Sequence, residues 1–328
     1  MKLGIVGTGQ IVQELLPLLG GWDWSVAALC GTPRSAEKVH ELCAAHGIPF
    51  AFTDYSSMLD EADVDAVYIA VPNSLHYSFA KQALEAGHNV ILEKPMTSHS
   101  REAEALAILA GEKNLYLFEA VTTLYMPCYH KIKKWLPRIG TVKLISCNFS
   151  QYSSRYDAFR AGNILPAFDP AKSGGALMDL NLYNLHYLTG LFGPPQEVSY
   201  HANVERGIDT SGVLLLNYGG FLAAGIAGKD SSAPPACVIQ GTEGYIRQDT
   251  PANTCQGAIL HLKDGTEEVF RTDFSSRLEP EFRAFAQEIA SGSRTNCYAR
   301  LKHSVLVSQV LTRARLSAGI RFPADDEA

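Results

Sequence analysis

Two domains of different build are what this sequence predicts. The first is an α/β Rossmann dinucleotide-binding domain over residues 1–122; the second is an α+β domain over 123–328 with a large, mostly antiparallel open sheet. Three observations predict them. Short apolar runs alternate with helix-like segments through the first part of the chain, and a glycine turn, Gly7-Thr8-Gly9, separates the first run from the first helix. From residue 123 onward, strand-like runs mostly follow one another with no helix between them. Alternation implies βαβ units, a parallel sheet and right-handed crossovers, whereas consecutive strands imply antiparallel pairing. A length of 328 residues suits two domains at roughly 150 residues each.

In chain order, Lys2–Val6 is a short apolar strand ending at the glycine turn. Ile11–Leu19 has helical spacing and stops at Gly20-Gly21. Ser25–Leu29 is the second strand, and Ser35–His46 a helix with Ser35 as N-cap, ended by Gly47-Ile48-Pro49. Ala66–Ala70 is continuously apolar, the pattern of a parallel strand buried on both faces, and counts as the fourth strand. The third has no named segment. A helix over Ser74–Ala86 closes at Gly87. Asn89–Leu92 is the fifth strand, Ser98–Glu112 a helix and Tyr116–Phe118 a short sixth strand. Six strands make a complete dinucleotide-binding domain. In the second domain Tyr129–Leu136 reads as a helix. Strands follow at Val142–Tyr152, Glu197–Asn203, Ser211–Leu216, Gly220–Ile226, Ala236–Gln240, Tyr245–Gln248, Ala258–Leu262 and Glu268–Arg271. Helices near Pro280–Ala290 and Lys302–Leu316 close the chain.

Composition excludes several classes. Hydrophobic residues at 46% supply a core, so global disorder is excluded. No run approaches the ~18 apolar residues of a membrane helix, and no leader pattern opens the chain, so a soluble, cytoplasmic protein is expected. A net charge of −6 does not suit a nucleic-acid binder, and Lys131, Lys133, Lys134 and Arg138 read as the wet face of a helix. Seven scattered cysteines without a CxxC pair argue against a disulfide framework or a zinc site, and no metal is expected. Without a leader, Asn148-Phe149-Ser150 is a chance glycosylation match.

The glycine turn gives the first chemical clue. Gly7 permits a tight turn and Gly9 lets backbone approach a pyrophosphate lying on the helix N-terminus, with Thr8, Gln10 and Ile11 beside it. The third fingerprint position is Val12 rather than Gly or Ala. After the second strand, the acidic residue that would meet a ribose 2′-hydroxyl is missing. Thr32-Pro33-Arg34-Ser35 stands there instead, and its arginine suits a 2′-phosphate. NADP(H) is therefore the preferred cofactor, with NAD(H) as the alternative; a plain exposed arginine is the competing reading of Arg34.

Three further segments belong together. Val71-Pro72-Asn73-Ser74-Leu75-His76 follows the fourth strand, and Glu93-Lys94-Pro95 follows the fifth, both at the carboxyl edge where such sheets bind ligands. The segment from Gly174 to His186 looks like a glycine-opened helix in which Asp179, Tyr183 and His186, at i, i+4 and i+7, share one face. With GxG, PNxxH, EKP and GGALxD in register over essentially the whole chain, the sequence resembles the Gfo/Idh/MocA family of oxidoreductases. Within that family it is most similar to the dihydrodiol dehydrogenase and NADP-xylose dehydrogenase branch.

The resemblance implies roles. Gly7, Gly9 and Gln10 would hold the pyrophosphate, Thr32, Arg34 and Ser35 the ribose phosphate, and Val71, Pro72, Asn73 and His76 the nicotinamide half. Glu93 would contact the cofactor, Lys94 would be catalytic, and Asp179 and Tyr183 would line the substrate pocket. The implied reaction is hydride transfer between nicotinamide and a carbinol or carbonyl carbon of a sugar, polyol or cyclic diol. That reaction needs a general base at the hydroxyl. Tyrosine, with a reference pKa near 10, needs a neighbouring cation for the task, and Lys94 can supply it. Lys94 and Tyr183 are taken as a pair oriented by Asp179, with the proton assigned to neither in particular.

Plainer readings stand beside these. Tyr183 would be a core aromatic, Asp179 a local cap or ion pair, His76 a first-turn helix residue and His186 a structural histidine. Leu124 and Met126 stand where relatives carry polar groups, and Asn181 where glycine is usual, which leaves the substrate open. Gln151, Tyr152, Arg155, Tyr156 and Arg160 are further candidates for substrate contacts. Competing functions are a dinucleotide-responsive regulatory protein, disfavoured by the intact EKP, and a reductase of C=C or imine bonds. An exposed apolar sheet face and the resemblance both point to a homodimer or homotetramer.

Overall fold

The computed structural model describes residues 1–22 and 24–326. Contact density divides the chain into two compact units. One comprises Met1–Ala120 with Phe282–Val305; the other comprises Val121–Glu281 with the segment from Leu306.

In the first unit the strands are β1 (Lys2–Val6), β2 (Ser25–Cys30), β3 (Phe50–Phe52), β4 (Ala66–Ile69), β5 (Val90–Glu93) and β6 (Leu117–Ala120). They form one parallel sheet of order β3-β2-β1-β4-β5-β6. This is the Rossmann order, which reverses between β1 and β4. The helices are α1 (Gln10–Leu19), α2 (Ala36–His46), α3 (Tyr55–Glu61), α4 (His76–Glu85) and α5 (Ser100–Glu112). Strands β4, β5 and β6 are buried at every residue, as continuous apolar runs require in a sheet covered on both faces. The unnamed third strand is β3, only three residues long and largely exposed, so no apolar run marks it. Ser35 does not cap α2 with its side chain. Its hydroxyl instead closes the preceding turn, accepting from the Thr32 N–H at 2.9 Å.

The second unit holds an eight-stranded sheet of order β14-β13-β12-β11-β7-β10-β9-β8. Its strands are β7 (Val142–Ser150), β8 (Glu197–Glu205), β9 (Ile208–Asn217), β10 (Leu222–Gly228), β11 (Ala236–Gly241), β12 (Gly244–Gln248), β13 (Gly257–Leu262) and β14 (Glu267–Arg271). Every pairing is antiparallel except that of β10 with β7. The helices are α6 (Pro127–Trp135), α7 (Tyr156–Arg160) and α8 (Leu182–Phe192). Helix α8 is buried over most of its length, so its apolar side chains join those of one sheet face in a single core. Leu124 and Met126 also join this core, Met126 with no exposure at all.

Two helices finish the chain, α9 (Glu279–Ser291) and α10 (Thr295–Ser317). Their course departs from a division at residue 122. Phe282 packs against Trp22, Trp24 and Tyr68, and Phe285 against Phe118, so residues 282–305 return to the first unit. Among the described residues, no helix is long and apolar enough to cross a membrane.

Candidate active site

In the Rossmann unit the candidate residues gather at the carboxyl ends of β1, β2, β4 and β5, and the backbone explains why. Gly7 has φ +114°, and a methyl group there would run into the Ala70 carbonyl oxygen at the end of β4. Its N–H donates to the Cys30 carbonyl at 2.8 Å. Gly9 faces open space and caps α1 with extended backbone, no side-chain cap and no acidic residue in the first turn. Helix N-termini leave N–H groups without intrahelical partners, so this turn offers a bare, positively polarised cradle. Thr8 accepts from the Gln13 side chain at 2.9 Å, which braces the turn against α1. Ile11 is half-buried, and Val12 fills the third fingerprint position with no exposure.

At the end of β2, the Thr32 and Ser35 hydroxyls lie 3.1 Å apart, and the Ser35 N–H donates to the Thr32 carbonyl at 2.9 Å. This short turn presents Arg34 to solvent.

The segment after β4 is tied to the segment after β5 by His76. Its ring is 1% exposed, with Nδ1 2.7 Å from the Pro95 carbonyl and Nε2 3.0 Å from the Val71 carbonyl. Burial pushes its pKa below the ordinary imidazole range, and the charge of Lys94 adds to this against the two carbonyls and Glu119. Its two ring nitrogens face carbonyl oxygens on the two loops, and the neutral ring donates to one of them, so the side chain sits as a link between the loops. The loop it clamps carries Lys94, which is half-buried and followed by a cis peptide to Pro95. Glu93 is nearly buried and accepts from the Tyr68 hydroxyl at 2.6 Å. Glu119, which sequence reasoning passed over, accepts from the Met96 N–H at 2.8 Å and so holds the backbone just beyond Lys94. Pro72 is exposed, whereas Val71 and Asn73 are half-buried.

In the second unit, the glycine-opened segment begins as a π-helical turn, Leu177–Asn181, before α8. The argument that Asp179, Tyr183 and His186 share one face assumed α spacing, and the wider turn sets it aside. Tyr183 is 5% exposed, with its ring 6.0 Å from that of Phe149; His186 is fully buried; Asp179 keeps 36% exposure of its side chain. Single π turns inside helices occur often at functional sites.

The partners of this turn come from distant strands. Lys229, immediately after β10, places its Nζ 2.8 Å from Asp179 Oδ2. Asp209 in β9 accepts from the Leu177 N–H at 2.6 Å and from the Tyr200 hydroxyl at 2.8 Å. Burial raises the Asp209 pKa to about 6, against those two donors and the charge of Lys229. Asn181 donates to the Gly225 carbonyl at 2.9 Å and Asn184 to the Ile226 carbonyl at 3.1 Å, which fastens the helix to β10. No local signal marks Lys229 or Asp209, since each acts across 30 to 50 residues of chain; a polar residue within an otherwise buried strand end was the one available hint. Among the other candidates, Tyr152 donates to Asp157 and Tyr156 to Glu205, each at 2.7 Å, while Gln151, Arg155 and Arg160 are exposed.

Two family descriptions match this chain in order. "Oxidoreductase family, NAD-binding Rossmann fold" covers residues 1–121, and "GFO/IDH/MocA C-terminal domain" covers residues 129–247. The chain belongs to the Gfo/Idh/MocA family. It is therefore an oxidoreductase.

Among its family relatives, scyllo-inositol 2-dehydrogenase (NADP(+)) IolU of Bacillus subtilis is 33% identical over 99% of both chains. Trans-1,2-dihydrobenzene-1,2-diol dehydrogenase of Xenopus tropicalis is 25% identical over 98% of this chain and 99% of that one. The fold is shared with a solved structure of KijD10, a 3-ketoreductase from Actinomadura kijaniata in complex with NADP and TDP-benzene. That likeness has a TM-score of 0.83 at 24% identity and covers 97% of each chain. A dinucleotide fits what the Rossmann unit of this family member offers: a glycine cradle open above an uncapped helix N-terminus, and an exposed arginine at the end of the second strand.

Proposed function

We propose that this chain is an NADP(H)-preferring oxidoreductase, able to use NAD(H), that works on the carbinol or carbonyl carbon of a sugar, polyol or cyclic diol. The observation that carries the reading is Lys94. It stands at the end of β5, in a loop clamped by His76, on the sheet edge that also bears the open cradle at Gly9. The NADP(+) in the name of the Bacillus subtilis relative and the exposed Arg34 support the cofactor preference. Inositol and dihydrodiol, in the names of two relatives, support the substrate class.

In this reading Gly7, Thr8, Gly9, Gln10 and Ile11 seat the pyrophosphate, and Thr32, Arg34 and Ser35 the ribose 2′-phosphate. Val71, Pro72, Asn73, His76 and Glu93 would border the nicotinamide. A nicotinamide held there would supply the hydride donor or acceptor for the substrate carbon. The proton on the substrate oxygen falls to Lys94 or Tyr183, and Asp179 accepts a hydrogen bond from a substrate hydroxyl. A positively charged lysine stabilises an alkoxide or a phenolate, whereas Lys94 must be neutral to take the proton itself.

The test is Lys94→Ala beside Tyr183→Phe, with NADPH and NADH titrated by fluorescence against each. Loss of general acid–base help of this kind is about 10²- to 10⁴-fold in kcat. The larger fall identifies the proton carrier, while NADPH affinity stays near wild type and exceeds that for NADH. Wild-type turnover in both variants would remove the site assignment, and equal affinities would remove the NADP preference.

The same reading gives a homodimer or homotetramer. Leu144, Leu215, Leu222, Ile226, Tyr245 and Val269 lie exposed on one face of the eight-stranded sheet, large apolar side chains of the kind that subunits cover. A single monomeric species in sedimentation would end that part of the proposal. The cytoplasm is the compartment we assign, since all seven cysteines are buried thiols that need no oxidising environment.

A further inference from the structure

We infer that Lys229 is a positioning residue: its buried ammonium holds the Asp179 carboxylate in the orientation in which it accepts the substrate hydroxyl, and so governs turnover without touching substrate. The inference rests on the reading of Asp179 given above.

Lys229 is the residue that follows β10, and its side chain is 3% exposed. A buried ammonium is expensive to desolvate and persists only where its donors are met. Here they are met at three points. Nζ lies 2.8 Å from Asp179 Oδ2, 2.8 Å from the Ala167 carbonyl oxygen and 4.6 Å from the centre of the Phe168 ring. The backbone is fixed as well. The Lys229 N–H donates to Thr210 at 2.8 Å, and its carbonyl accepts from Ser153 at 2.8 Å. The cation is thus held by β9, by β10 and by the segment that follows β7.

Its partner is the more exposed of the two carboxylates that feel its charge. Asp209 is fully buried and occupied by Leu177 and Tyr200, whereas Asp179 keeps 36% exposure. The lysine therefore grips one oxygen of a carboxylate whose side chain stays partly exposed. Asp179 sits in the π turn, where the regular helical ladder is interrupted. A side-chain tether there fixes an orientation that the backbone alone leaves loose. Charge is needed for this grip, because an apolar residue of similar volume would serve a purely packing role as well or better.

A double-mutant cycle on kcat/KM tests it. Asp179→Asn alone examines the underlying reading: wild-type turnover in that variant overturns the assignment of Asp179, and this proposal with it. Given a loss there, Lys229→Met in the wild-type background is expected to lower kcat/KM about 10²-fold, the scale of an ångström-sized misplacement. In the Asp179→Asn background the same change should cost no more than about 2-fold, because its target is already gone. NADPH affinity should not move. A fully active Lys229→Met, or the same large loss in both backgrounds, overturns the proposal. Lys229→Gln, which keeps a donor for the Ala167 carbonyl, repeats the cycle with the same expectation should the methionine variant not fold.

Discussion

The two units solve the same problem, presenting polar groups at the end of a sheet, in opposite ways. In the Rossmann unit the candidate residues sit at or just beyond strand ends, and two of them are placed by the ends of neighbouring strands. Gly7 meets Ala70, and His76 meets Val71 and Pro95. In the second unit the candidates ride on a π turn and helix laid against the sheet, and the main braces come from afar. Lys229 reaches Asp179, Asp209 reaches Leu177, and Gly225 reaches Asn181. A parallel sheet with a switch point builds its site from topology, so strand order is enough to find it. A helix on an antiparallel sheet builds its site from tertiary contacts, and these have no period in sequence.

The largest effect expected within this comparison tests how far topology alone dictates the first site. Gly7→Ala puts a side chain at φ +114° and against the Ala70 backbone, which cannot yield as a flexible side chain would. The strain should destabilise the protein by roughly 3 kcal/mol or more. Gly9→Ala, two residues away, enters open space at φ −69°. It should leave the urea midpoint nearly unchanged while NADPH affinity falls, because the methyl group occupies the cradle. If the two variants behave alike, the glycines are not divided into one for the turn and one for the ligand.

The units also differ in the sign of their pH dependence. Asp209 has a folded pKa near 6 against an ordinary value of 3.8, so between these values the folded state binds more protons than the unfolded one. Stability is therefore lost as pH rises through that window, by up to about 3 kcal/mol. His76 runs the other way. Its folded pKa lies below the ordinary 6.5, so the unfolded state binds the extra proton and stability is lost as pH falls below about 6.5. Urea midpoints across pH 4 to 7 should show Asp209→Asn gaining on wild type as pH rises, and His76→Gln gaining on wild type as pH falls. A parallel response of variant and wild type in either case would mean that the buried group does not titrate as its surroundings dictate.

The same contrast explains what could be read from the chain. All eight strands of the second sheet and five of the six in the first carry apolar or alternating patterns, so the fold was legible almost entirely. Strand β3 was not, being three residues at an exposed edge, and neither was the return of residues 282–305 to the first unit, since a helix pattern does not say which sheet it will cover. Of the candidate residues, the placement of the glycine turn, the Asn73 to His76 segment and Lys94 at strand ends was legible, because each follows directly from a strand. Lys229, Asp209 and Glu119 were not, because a buried charge is defined by its partner.

Asn181 shows how such a non-local pairing can be made to declare itself. This asparagine stands where glycine is usual in the resembling pattern. It fits because Gly225 faces it without a side chain: a methyl group at Gly225 would lie 2.6 Å from Asn181 Oδ1. Asn181 also donates to the Gly225 carbonyl and accepts from Asn184 at 3.0 Å, so its amide is fully buried and used on both sides. Gly225→Ala alone should destabilise by about 1–3 kcal/mol, by displacing a buried amide from its partners. Asn181→Gly alone should cost about 1 kcal/mol for the helix and the lost hydrogen bonds. The double variant should be more stable than the sum of the two predicts, since the glycine at 181 makes room for the methyl group at 225. Additive losses would mean that the helix and β10 are not registered through this pair, and that the π turn carrying Asp179 is held in place from Lys229 and Asp209 alone.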